Sequence, residues 1–232
     1  MTESKKDQVR SMFNNIAWRY DLLNHLLSLN IDKIWRNKLV KMLSEKNPAS
    51  ILDVATGTGD LSITASKIKP TEIIGVDIAN EMLEIGRKKI LSKGLASTIR
   101  LELGDSENLN FPAGRFDAAM VAFGVRNFEN LDLGLAEMNR VLKPQGRIFV
   151  LEFSIPTNAI VRAFYFFYFR NILPLIGKMV SKDSAAYTYL PDSVRQFPSG
   201  EAFLIRLEKA GFKNCKQRPL TFGISTIYVG DK

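Results

Sequence analysis

Asp53-Val-Ala-Thr-Gly-Thr-Gly-Asp60 follows directly on Ser50-Ile-Leu, so a short apolar run over 50–55 ends in a loop carrying Gly57 and Gly59. That pattern reads as a buried strand closing in a tight turn at the start of a helix. Glycines in such a turn let the backbone bend sharply and approach a ligand without Cβ clashes. A dinucleotide fingerprint would place a third glycine where Ser62 stands. A phosphate-cradling loop would continue as Gly-Lys-Ser/Thr, which is absent. Asp53 and Asp60 put negative charge at both ends of the loop. They would repel a pyrophosphate and suit a cationic ligand.

Outward from this loop the same unit recurs. The run 72–77 is again apolar and ends on a carboxylate, Asp77, while 61–68 between the two runs carries apolar residues at helical spacing. Strands over 99–103, 117–123 and 147–153 and a helix over 131–142, stopped by Lys143-Pro-Gln-Gly146, continue the alternation. Strands alternating with helices predict a doubly wound parallel sheet covered on both faces. The runs 212–218 and 222–229 are joined only by Pro219, Leu220 and Thr221. So short a link permits an antiparallel hairpin and no helical crossover. A Rossmann-like α/β sheet, mostly parallel but closed by a C-terminal antiparallel hairpin, is the class I S-adenosylmethionine-dependent methyltransferase fold, not that of dehydrogenases.

Ligands of such folds bind over the carboxyl ends of the strands. Asp77, 24 residues beyond Asp53, ends the second strand, and Asp105-Ser106 directly follows the third. Asp, Gly and Ser favour turns in any case, but three successive strand ends bear suitable groups in the right order. The Asp77 carboxylate can accept from both ribose hydroxyls, and Asp105 and Ser106 can meet the adenine edge. S-adenosylmethionine suits this set, because its sulfonium and ammonium meet carboxylates and its own carboxylate meets a helix N-terminus.

At 232 residues the chain is one decorated domain rather than two complete ones. The expected division is a helical substrate-side segment over 1–48, a cofactor-binding core over 49–154, an apolar lid over 155–200 and a closing helix and hairpin over 201–232. A 46% hydrophobic content excludes intrinsic disorder, and the single Cys215 excludes a disulfide framework. One histidine and one cysteine cannot supply a zinc site, so no metal is expected. The polar start MTESKKDQVR predicts no secretory leader and a cytoplasmic location. The net charge of +8 is dispersed along the chain. It reads as a solvated surface rather than a nucleic-acid face, which would need a basic patch with exposed aromatics. The stretch 159–181 is the most apolar and aromatic, yet Arg162, Arg170, Pro174 and Lys178 interrupt it. It therefore reads as a core helix, or as an apolar lid or membrane-touching helix, and not as a spanning segment.

Further motifs resemble the ubiquinone/menaquinone biosynthesis C-methyltransferases, and among them the demethylmenaquinone methyltransferases, over nearly the whole chain. Phe13-Asn-Asn-Ile-Ala-Trp-Arg-Tyr-Asp-Leu-Leu-Asn24 with Leu27-Ser28 and Trp35 is similar to the first family signature. Asp32 stands where that signature usually has a histidine, so no role is carried there. Phe123-Gly-Val-Arg-Asn127 resembles the family's Phe-Gly-x-Arg-Asn, with Ala122 in place of a frequent serine. Arg140-Val-Leu-Lys-Pro-Gln-Gly-Arg147 followed by Leu151-Glu-Phe-Ser154 looks like the second signature, with Gln145 replacing a usual glycine. Leu173-Pro174, Tyr187, Tyr189-Leu190 and Arg195-x-x-Pro198 follow the family pattern as well.

The resemblance implies C-methylation of a polyprenyl naphthoquinol, with a methoxy-benzoquinol as the alternative acceptor. A catalytically silent binding protein is the alternative of a different class. Asp53, Gly57, Thr58, Gly59, Asp77, Asp105 and Ser106 are the expected cofactor residues. Arg126 is the candidate to stabilise a quinol phenolate, being too strongly protonated to act as a base. His25, the only histidine, is the candidate base. Tyr20, Asn24, Tyr187 and Tyr189 are expected to shape the ring pocket. A bilayer-resident substrate implies peripheral contact with the inner face of the membrane, and a homodimer stays open.

Overall fold

The computed structural model describes residues 4–168, 171 and 185–232, apart from the side chains at 23, 26, 27 and 185–188. The described strands are β1 Ser50–Val54, β2 Glu72–Asp77, β3 Ile99–Leu103, β4 Phe116–Ala122, β5 Leu142–Phe153, β6 Lys213–Leu220 and β7 Ser225–Asp231. They form one sheet in the order β3-β2-β1-β4-β5-β7-β6. Neighbours from β3 to β5 are parallel, and β7 is antiparallel to both β5 and β6. This is the doubly wound, hairpin-closed class I methyltransferase sheet expected from the sequence. Because β7 slots between β5 and β6, nearly all of it is buried, while β6 on the edge is largely exposed.

Eight helices are described: α1 Lys5–Leu27, α2 Ile31–Ser44, α3 Asp60–Ala65, α4 Asn80–Ser92, α5 Leu131–Val141, α6 Ala159–Phe167, α7 Ala185–Gln196 and α8 Glu201–Lys209. Successive strand side chains point to opposite faces. Ile51 therefore packs with Trp35, Leu39, Leu83 and Ile90, while Leu52 packs with Leu135, Phe203 and Leu207.

Several boundaries differ from those expected. The strand over 147–153 begins already at Leu142, so the expected stop Lys143-Pro-Gln-Gly146 lies inside β5, at an irregularity in its pairing with β4. The helix over 61–68 is α3 followed by a 3₁₀ turn, Ser66–Ile68, which the left-handed Lys69 ends. The helix over 131–142 stops at Val141 because Leu142 already pairs with Phe116 in the sheet. The hairpin turns later, at Thr221–Gly223, with Pro219 inside β6. An edge strand tolerates a proline, whose missing N–H removes no bond from the sheet interior.

Asp117 fastens the lower edge of the parallel strands. Its Oδ2 accepts from Ser50 N at 2.8 Å and Ser50 Oγ at 2.9 Å, and its Oδ1 accepts from Lys143 Nζ at 2.7 Å. Burial alone would raise this carboxyl, but Lys143 and Ser50 together bring it down to about 2. A depressed folded value means stability that is present above the unfolded value and is lost as pH falls through the folded one. Asp117→Asn is thus expected to cost about 1–2 kcal/mol at pH 7 after allowance for solvent screening. The deficit should vanish near pH 2, as melting curves at both pH values would register.

Within the stretch 159–181, positions 169, 170 and 172–181 lie outside the described residues. Its described helix α6 is capped by Asn158, whose side chain accepts from the backbone N–H groups of Ile160 and Val161. Ile160, Phe164 and Phe167 are exposed, and only Tyr165 on this helix is buried. Neither sheet-flanking core draws a buried residue from α6. Among the described residues, no helix is long and apolar enough to cross a membrane.

Candidate active site

Strand order reverses between β1 and β4, and a ligand crevice opens above such a switch point. Both strands leave the sheet through left-handed, non-glycine residues, Ala55 with φ 53° and Phe123 with φ 59°. That conformation is uncommon outside glycine and concentrates at functional sites. The strand ends also approach closely, since a Cβ on Gly124 would lie 2.6 Å from Ala55 Cβ.

A cavity over this point is lined by Gly57, Asp77, Asp105 and Ser106 and covered by Lys6 and Phe13 of α1. Asp77 Oδ2 accepts from Gly57 N at 2.8 Å and Oδ1 accepts from Ala79 N at 2.9 Å. Each oxygen keeps a lone pair for a hydroxyl partner. Burial raises the Asp77 carboxyl, against the pull of the amides of Ala79, Gly57 and Ile78. Asp105 Oδ1 accepts from Glu107 N at 2.9 Å, and its Oδ2 accepts from Lys6 Nζ at 2.7 Å. The Lys6 contact holds α1 down over the cavity. Asp77, Asp105, Glu107 and Glu129 outnumber Lys6, the only cation among the described lining residues. A sulfonium with an adenosyl group fits that donor set, and a pyrophosphate does not.

The remaining expected site residues face elsewhere. Asp53 is buried beneath the loop, where its Oδ2 accepts from Thr56 Oγ1 at 2.7 Å and Ser62 Oγ at 2.6 Å. Burial pushes its carboxyl up to about 6. It ties the loop to α3 and does not line the cavity. Thr58 Oγ1 donates to Asp21 at 2.6 Å and accepts from Lys89 at 3.1 Å, so it joins α1 to α4. Gly59, with φ 78°, starts α3 against Ile90 and Leu101. His25 has Nδ1 at 2.9 Å from Asp32 and Nε2 at 3.5 Å from Asp60, and it lines neither cavity. Asp32, at the position that departs from the family signature, accepts from His25, Ser28 and Arg36. Burial would raise its carboxyl, but Ser28 and Arg36 outweigh that and hold it below the usual range.

A second cavity of about 330 Å³ shares Phe13, Tyr20 and Phe123 with the first, so the two meet at these rings. Phe13, Ile16, Tyr20 and Asn24 recur at helical spacing and turn one face of α1 into its wall. Trp35, Phe123 and Phe153 form an aromatic floor, with the two phenylalanine centroids 4.6 Å apart. Trp35 is fixed by its Nε1, which donates to Thr221 Oγ1 at 2.8 Å.

Arg126 enters this cavity from the 3₁₀ turn Val125–Asn127. Its Nη1 donates to Glu152 Oε1 at 2.7 Å, and its guanidinium carbon lies 5.4 Å from the Phe153 centroid. Glu152 is fully buried, and burial pushes its carboxyl up against the opposing charge of Arg126. Arg126 therefore has both a structural carboxylate partner and a place in the cavity wall. Burial also pushes the Tyr20 hydroxyl up to about 12, so it stays protonated near neutral pH. Tyr189 donates to Asn127 Oδ1 at 2.9 Å and lines the same cavity, whereas the Tyr187 side chain lies outside the described residues. The sequence reading missed Glu152 and the double role of α1. Their signals were a lone charge inside the apolar run 148–153 and the 13, 16, 20, 24 spacing.

The model of the ubiE/COQ5 methyltransferase family matches residues 1–232. A demethylmenaquinone methyltransferase of Bacteroides fragilis is 44% identical over 229 residues, covering 98% of this chain and 94% of its own. A ubiquinone/menaquinone biosynthesis C-methyltransferase of Citrifermentans bemidjiense is 46% identical over 230 residues, covering 98% and 97%. Among solved structures, an S-adenosylmethionine-dependent methyltransferase from Thermotoga maritima superposes with a TM-score of 0.66 at 19% identity, covering 96% of this chain and 99% of that one. The last likeness concerns the fold alone. Profile and relatives agree with the paired cavities at the switch point: the chain belongs to the ubiE/COQ5 methyltransferase family.

Proposed function

We propose that the protein transfers the methyl group of S-adenosylmethionine to a ring carbon of demethylmenaquinol. The observation that carries this reading is the meeting of two unlike cavities, one walled by carboxylates and one by aromatic rings with, among the described residues, one guanidinium. When bound, S-adenosylmethionine supplies a methyl group already activated by its sulfonium. Gly57, Asp77, Asp105 and Ser106 would hold it.

The chain's remaining task is alignment, exclusion of water and stabilisation of charge. Trp35, Phe123 and Phe153 offer faces on which a naphthalene ring stacks. Phe13 and Tyr20 narrow the junction where donor and acceptor meet. Arg126 stabilises negative charge on the quinol oxygen beside the reacting carbon, which makes that carbon nucleophilic. The hydroxyl proton leaves to water or to another group, since arginine stays protonated. After the methyl group has moved to the carbon and its bond to sulfur has broken, the ring C–H proton leaves and the oxygen is reprotonated, which restores the aromatic quinol. His25, held between two carboxylates outside the cavity, acts on the placement of α1.

The isoprenoid tail follows the apolar wall outward to Leu29 and Phe164, both exposed at the cavity edge, with Phe222 exposed beside Thr221. This rim is the surface by which a cytoplasmic enzyme meets the inner face of the membrane and receives a lipid-soluble substrate. Phe164→Ser should lower turnover of long-tailed quinols more than that of short-tailed ones, because each buried CH₂ is worth about 0.8 kcal/mol. Equal loss on both in a variant with an unchanged melting curve would remove the rim from tail binding.

Relatives with ubiquinone in their names favour one second reading, methylation of a methoxy-benzoquinol. Parallel assays of both quinols with labelled methyl donor decide between them. Faster turnover of the naphthoquinol is expected, and turnover of the benzoquinol alone would reverse the assignment.

A further inference from the structure

Two residues of the acceptor-cavity wall carry a buried N–H with no hydrogen-bond partner among the described residues, Arg126 at Nε and Asn24 at Nδ2. They reach it from different parts of the chain, Asn24 from the C-terminal part of α1 and Arg126 from the turn after β4. A buried donor left unmade costs free energy, and most buried polar groups in folded proteins are paired. Arg36 Nε and Asn139 Nδ2 are unpartnered elsewhere in the fold. Arg126 and Asn24 stand apart because they also line a wall that is otherwise mainly apolar and aromatic, where a small turn of either side chain brings its N–H to a ligand oxygen.

Asn24 is also held in place from both sides in sequence. Asp21, three residues earlier, accepts from Thr58 at 2.6 Å and Lys89 at 2.8 Å. His25, one residue later, lies between Asp32 and Asp60. These polar contacts fix the rotation of α1 on α2, α3 and α4, and that rotation leaves Tyr20 and Asn24 on the cavity side.

We propose that Asn24 is a specificity-determining residue, its carboxamide N–H donating to the acceptor-ring oxygen that Arg126 does not hold. Two donors from separate elements select a ring bearing two oxygens and set which ring carbon faces the methyl donor. This rests on the quinol reading above. It assigns the network around Asp21 and His25 a positioning role, since it orients the helix that carries Asn24.

The test compares two acceptors with the same short tail. One is the naphthoquinol, and the other is a naphthol that keeps only the hydroxyl beside the methylated carbon. With wild-type protein, kcat/KM should favour the quinol by about tenfold to a hundredfold. Asn24→Leu should erase that preference by losing rate on the quinol while the naphthol is nearly unchanged, with S-adenosylmethionine affinity retained. Asn24→Gln, which keeps the carboxamide, should recover part of the preference. Asn24→Ser gives the same comparison should the leucine variant fail to fold. Equal losses on both acceptors in a folded variant would overturn the assignment and leave the quinol reading standing. Methylation of neither acceptor by wild-type protein would overturn both.

Discussion

Replacing Arg126 with Gln is expected to lower turnover about a hundredfold to a thousandfold while S-adenosylmethionine affinity stays within about twofold. The residue lines the acceptor cavity and not the donor cavity, so the damage should fall on kcat. A purely structural role would also reduce activity, because Glu152 would be left buried without its partner. Breaking a buried pair typically costs about 3–5 kcal/mol. Here the loss is limited by proton uptake, since burial already pushes the Glu152 carboxyl up. A carboxyl raised in the folded state contributes stability that is present at low pH and lost as pH rises through its folded value. The stability deficit of Arg126→Gln relative to wild type should therefore shrink toward acid pH. Adding Glu152→Gln removes the orphaned charge and should restore the melting temperature without restoring turnover. Recovery of turnover together with stability would show that Arg126 serves the fold alone.

Asp77→Asn is expected to weaken S-adenosylmethionine binding by tenfold or more, as read by calorimetry. A hydrogen bond to a charged group contributes about 1.5–3 kcal/mol, and every 1.4 kcal/mol is about tenfold in affinity. The structure adds a reason beyond lost charge. Both carboxylate oxygens accept from backbone amides, Gly57 N and Ala79 N. An asparagine must turn its NH₂ toward one of them, setting donor against donor and disturbing the loop that forms the cavity floor. Unchanged affinity in a folded variant would remove Asp77 from the donor site.

The order of strand ends was legible because it rests on local chemistry. Apolar runs closing on Asp53, Asp77 and Asp105 gave the parallel sheet, its ligand edge and a preference for a cation. What stayed hidden is which way each side chain turns. Asp77 ends β2 while Asp53 lies one residue before the end of β1, and Asp53 accepts from Ser62 beneath the loop while Asp77 faces the cavity. Thr58 reads as a ligand contact from its place between Gly57 and Gly59, but Asp21 on α1 accepts from its hydroxyl, and no spacing in the loop reports a residue so distant. His25 attracted notice as the only histidine, whereas Asp32 and Asp60 supply the contacts that define it. Glu152 was readable in principle, since one charge amid a buried strand implies a partner, and the partner is Arg126. The late turn of the hairpin depended on β6 lying at the sheet edge, a tertiary fact.

The central claim is that the paired cavities deliver a methyl group to a ring carbon whose neighbouring oxygen is held as a phenolate. Its most direct test is the position of the methyl group after turnover of demethylmenaquinol with isotope-labelled S-adenosylmethionine, read by NMR of the product. The label is expected on the ring carbon beside a quinol oxygen in wild-type product and is expected to fall to trace amounts with Arg126→Gln. Label on the quinol oxygen, or carbon methylation at an undiminished rate in the variant, would contradict the account.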